Sequence, residues 1–95
     1  MARPQGAPET PQTERLLARA RTLLDHRDIS GARLILEHLV RAGSGRAAFL
    51  LAQTYDPRLP TPWRGYGTHT DPVKAEELYR MARDRGGSRV TDLRR

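Results

Sequence analysis

An all-α fold is what the amino-acid sequence predicts: antiparallel helix pairs stacked as a solenoid, about two repeats plus a short C-terminal helix. Three observations carry that prediction. Apolar residues recur at i, i+3, i+4 and i+7 in several segments, which is one face of a helix. One set of such positions occurs twice: Ala32, Leu36, Leu39 and Gly43 match Ala75, Tyr79, Ala82 and Gly86 at a constant offset of 43 residues. The composition agrees, since Leu and Ala supply most of the apolar side chains and the aromatics are one Trp, three Tyr and one Phe. That mixture suits thin helical layers better than a β-sandwich.

Residues 1–12 carry Pro4, Pro8 and Pro11 with Gly6 and are expected to form a disordered arm. The repeat domain is expected over 13–95. Thr13 is placed to cap a first helix whose stripe is Leu16, Leu17, Ala20, Leu23 and Leu24. Asp28 and Ser30 are both suitable caps for a second helix, with Ala32, Ile35, Leu36, Leu39 and Val40 inward and Gly43 ending it. Ser44 opens a third helix that is apolar on nearly all sides (Ala47, Ala48, Leu50, Leu51, Ala52, Tyr55), the pattern of a helix with neighbours on two sides. Pro57 ends it. A long connection follows, with Trp63 in its middle, either as a clamp over the third and fourth helices or as an exposed interface anchor. Asp71 and Pro72 then form a cap and first-turn proline, and Ala75, Leu78, Tyr79 and Ala82 line one face up to Gly86. Ser88 is expected to cap a short last helix with Val90 and Leu93, ending in Arg94 and Arg95.

Ninety-five residues make one small domain, and a domain of that size buries only roughly 60% of its unfolded surface. With no cysteine, disulfides and thiolate metal sites are excluded. No apolar run approaches the roughly 20 residues that cross a bilayer, and the N-terminus lacks a secretory pattern, so a cytoplasmic chain is expected. The net charge of +6 points to an acidic partner or to arginine used as a generic surface cation.

Three clusters of residues in this chain form a connected pattern. They are Ala47, Leu51, Ala52 and Tyr55; then Gly65, Gly67, Thr68 and Asp71; then Lys74, Ala75, Tyr79, Ala82 and Gly86. Over 47–86 the chain resembles the Sel-like repeat, a branch of the tetratricopeptide (TPR) superfamily. Ala52 stands where that family usually has glycine and Thr68 where it often has valine. The upstream pair is more like a plain TPR, with Arg27 and Asp28 where Gly-Asp is frequent. The resemblance implies stacked helix pairs that bind a protein or peptide, and it carries no binding residues with it, because the motif positions are structural.

Catalytic constellations are scarce. His26, His38 and His69 have no metal-ligand spacing. Gly65-Tyr66-Gly67 lacks the strand and lysine of a phosphate loop. Glu76 and Arg80 form an i, i+4 surface pair. No enzyme activity, cofactor or metal is expected. The resemblance instead implies a groove lined by the first helix of each pair, with Arg15 and Arg19 from the first helix and Arg46, Phe49 and Gln53 from the third as partner-binding candidates. Phe49 is alternatively read as packing under the first helix. The function expected is a non-enzymatic protein–protein interaction scaffold. The alternatives are a basic module for nucleic acid or an anionic surface, or the C-terminal repeat segment of a larger protein. An unfinished apolar edge at Val90 and Leu93 would also suit an end-to-end homo-oligomer.

Overall fold

The computed structural model describes residues 10–59 and 69–86. The expectations for the arm up to residue 9, for Trp63, Gly65, Gly67 and Thr68, and for the last helix from Ser88 lie outside the described residues. Within them the chain is all-helical: α1 (Pro11–Asp25), α2 (Ile29–Arg41), α3 (Gly45–Tyr55) and α4 (Pro72–Asp84).

The first helix starts earlier than expected. Thr10, not Thr13, is the N-cap of α1: its side chain accepts from the Thr13 amide at 3.1 Å, and Pro11 occupies the first helical turn. A proline is excluded from a helix interior but not from the first turn, where its missing N–H would have no intrahelical partner. Pro72 uses the same rule at α4, behind the cap Asp71.

The short links follow from shared caps. At the end of α1 the Arg27 amide donates to Leu24 at 3.0 Å and the Asp28 amide to Leu23 at 2.8 Å. At the end of α2 the Gly43 amide donates to Val40 at 3.0 Å and the Ser44 amide to Leu39 at 2.9 Å. Both are Schellman turns, which need a left-handed residue after the cap. Gly43 supplies one (φ 105°), and Arg27 adopts the other (φ 65°) without being glycine. The residue closing each turn also caps the next helix. Asp28 accepts from the Gly31 amide at 2.9 Å and Ser44 from the Ala47 amide at 3.1 Å. Links this short make consecutive helices antiparallel.

The 43-residue repeat extends to the helix ends. Asp28 and Asp71 each cap a helix by accepting from the amide three residues on. Ala32 and Ala75 are both fully buried, and Gly43 and Gly86 both have positive φ. At the other helix of each pair the match is looser, because α1 and α2 are joined by residues 26–28 but α3 and α4 by residues 56–71.

The third helix is central. It packs between α2 and α4, and α1 packs on α2. Ala47, Ala48, Leu51, Ala52 and Thr54 of α3 are all buried, as the apolar pattern on nearly all its sides requires. The core joins these to Leu17, Ala20 and Leu24 of α1, Ile29, Ala32, Leu36 and Leu39 of α2, and Leu78 and Ala82 of α4. Alanines at so many of these positions keep the helices close. Because Pro57 follows, Asp56 is held in extended backbone (ψ 111°), and the helix stops there.

Candidate partner-binding surface

Two side-chain clusters join α3 to its neighbours, and they determine what surface remains. The first is built on Arg33 of α2. Its Nε donates to Thr54 Oγ1 at 3.0 Å, and one Nη donates to the Thr54 carbonyl at 2.6 Å and the His69 carbonyl at 2.8 Å. The guanidinium lies 3.8 Å from the Tyr55 ring centroid. Lys74 approaches the same ring, its Nζ 5.1 Å from the centroid. Burial lowers the Arg33 pKa from the ordinary arginine value, opposed by Tyr55 and Glu37 nearby. The Asp71 amide completes the arrangement by donating to the Tyr55 carbonyl at 2.8 Å. The end of α3 is thereby tied to the start of α4.

The second cluster surrounds Asp56, whose side chain is only 4% exposed. The carboxylate accepts from the Arg58 amide (2.9 Å), Arg58 Nε (2.9 Å), an Arg58 Nη (3.1 Å) and the Tyr79 hydroxyl (2.7 Å). The Arg58 guanidinium is the main reason the Asp56 pKa falls to about 2; burial works against it, and the Arg58 amide and Tyr79 add to the lowering. Burial and the Asp56 acceptor together push the Tyr79 phenol above its ordinary range. Arg58 also donates to Glu76 at 3.1 Å. Glu76 therefore pairs with Arg58 and not with Arg80, because the chain after α3 turns back over α4. A carboxylate held this low and supplied with donors is ionised near neutrality. The cluster ties the residues after α3 to Tyr79 and Glu76 of α4.

The five candidate residues fall into two groups. Arg15 and Arg19 are exposed on α1, one turn apart, on the side away from buried Leu17, Ala20 and Leu24. Arg46, Phe49 and Gln53 share a half-buried face of α3. Arg46 forms an ion pair with Glu14, so it is Glu14 that reaches from α1 to this face. Phe49 packs against Tyr79 of α4 with ring centroids 5.7 Å apart and planes at 60°, a tilted aromatic contact. Its aromatic partner is on α4. The spacing of Arg46, Phe49 and Gln53 was legible in the sequence; their partners Glu14 and Tyr79, 32 and 30 residues away, were not.

Among the described residues no group of three or more His, Cys, Asp or Glu could hold a metal ion. No helix among them is long and apolar enough to cross a membrane. Comparison with protein-family models, with curated proteins and with solved structures gives no match.

Proposed function

We propose that this chain is a helical-repeat interaction module of the Sel-like type that binds an acidic protein segment across α1 and α3. The observation that carries this reading is the 43-residue register of α2 and α4, with matching aspartate caps, buried alanines and left-handed glycines. A unit repeated in this way stacks on its neighbour, and the alternate helices α1 and α3 then form one continuous surface. The exposed Arg15 and Arg19 and the half-buried Arg46 give that surface a positive character, and guanidinium forks suit carboxylates. A partner carboxylate would compete with Glu14 for Arg46. Phe49, held by Tyr79, contributes a rigid apolar edge.

The testing experiment is affinity capture from the native host, with and without nuclease, at low and high salt, using the wild-type chain and an Arg15→Glu/Arg19→Glu double variant. The reading expects a protein partner that survives nuclease and is lost by the double variant. Recovery only of nucleic acid, lost steeply as salt rises, would transfer the function to the basic surface. Retention of the same partner by the double variant would remove α1 from the binding face.

A further inference from the structure

Outside the surface just described, α2 and α4 enclose a cleft of their own. The two helices run in the same direction. Arg33 near the start of α2 reaches the His69 carbonyl just before α4, and Arg85 just after α4 donates to the Val40 carbonyl near the end of α2, at 2.8 Å. Between them lies an open cavity of about 260 Å³ lined by Glu37, Val40, Arg41, Leu51, Lys74 and Leu78. Leu51 of α3 and Leu78 of α4 form a buried apolar floor, 1% and 6% exposed, and half-buried Val40 continues it. The rim holds two cations and one anion; none of the three is in a salt bridge among the described residues, Lys74 Nζ lies 5.1 Å from the Tyr55 ring centroid, and Glu37 is near Arg33. Lys74 is the only lysine in a chain whose other basic residues, histidines apart, are arginine. It stands in the first turn of α4, where the helix dipole disfavours a cation.

We infer that this cleft is a binding site for a free aliphatic α-amino acid. Arg41 and Lys74 match the carboxylate, Glu37 matches the ammonium, and Val40, Leu51 and Leu78 match a branched apolar side chain. Every polar group of the rim is used. The volume fits one such molecule: a cavity of about 150 Å³ already admits benzene, and drug-sized ligands need about 300 Å³ or more. A simple carboxylic acid would offer nothing to the Glu37 carboxylate, and a simple amine would offer nothing to either cation. None of the six lining residues is among the partner-binding candidates, so the two readings stand or fall separately.

The experiment is a methyl NMR titration of the full chain with L-leucine, 4-methylpentanoate and 3-methylbutylamine. L-Leucine is expected to give saturable shifts at Val40, Leu51 and Leu78, with the acid and the amine each about tenfold weaker. Glu37→Gln is expected to weaken leucine and leave 4-methylpentanoate unchanged, whereas Lys74→Gln is expected to weaken both. Both sites are at least partly exposed, and far-UV circular dichroism verifies that the variants are folded. Absence of saturable shifts at about 20 mM L-leucine, or equal binding of all three probes, overturns the assignment.

Discussion

Replacing Asp56 by asparagine removes one negative charge from a buried site that accepts at least four hydrogen bonds, and the size of the effect can be worked out beforehand. A carboxyl held at about 2 in the folded chain, against an ordinary 3.8, contributes about 2 kcal/mol to folding at neutral pH. The folded value lies below the unfolded one. The contribution is therefore present above pH 4 and is lost as the pH falls through 2, with about half remaining at pH 3. Asparagine keeps one acceptor oxygen and turns a second donor towards Arg58 or Tyr79, so the variant should lose about 2–3 kcal/mol at pH 7. Urea unfolding of both proteins from pH 7 to pH 2.5 measures the difference. It should shrink steadily below pH 4. A carbon-detected NMR titration of the wild-type Asp56 carboxyl needs no folded variant and should show a midpoint near 2. A midpoint near 3.8, or a stability difference that stays constant down to pH 2.5, would refute the reasoning.

Three other outcomes follow from the same contacts. Tyr79→Phe keeps the ring against Phe49 but loses the bond to Asp56; it should cost about 1.5 kcal/mol in urea unfolding and raise the Asp56 midpoint. Arg33→Lys keeps the charge but cannot reach Thr54 and His69 together while lying flat on Tyr55. A loss of about 2 kcal/mol is expected, with faster hydrogen exchange at the Asp71 amide, whereas unchanged exchange there would mean that Arg33 does not hold the α3–α4 joint. Arg27→Gly relieves a left-handed non-glycine residue in a Schellman turn. It should raise stability by about 0.5–1 kcal/mol, read as a thermal midpoint several degrees higher, and a lower midpoint would show that the Arg27 side chain matters more than its backbone.

Most helix ends were legible in the sequence. Ser44, Asp71, Pro72, Gly43 and Gly86 act as their chemistry requires, and of the two caps offered for α2 the structure uses Asp28. The exception is the start of α1, where the prolines of the arm concealed that Pro11 is suited to a first turn. The apolar stripes were legible for the same reason: capping bonds and helix faces involve residues within about four positions, so local order suffices.

The connections between helices were decided only by tertiary structure. Arg33 to Thr54, Tyr79 to Asp56, Arg46 to Glu14 and Arg33 to His69 join residues 21, 23, 32 and 36 positions apart. Whether such pairs meet depends on the distance and angle between packed helices, which the small residues of α3 set jointly with α2 and α4. Glu76 shows the consequence: its sequence neighbour Arg80 offers an i, i+4 pair, yet Arg58 takes it, because the fold brings the end of α3 over α4. A one-dimensional pattern specifies which face of each helix turns inward; the partner of each polar side chain at a seam is a property of the assembled helices.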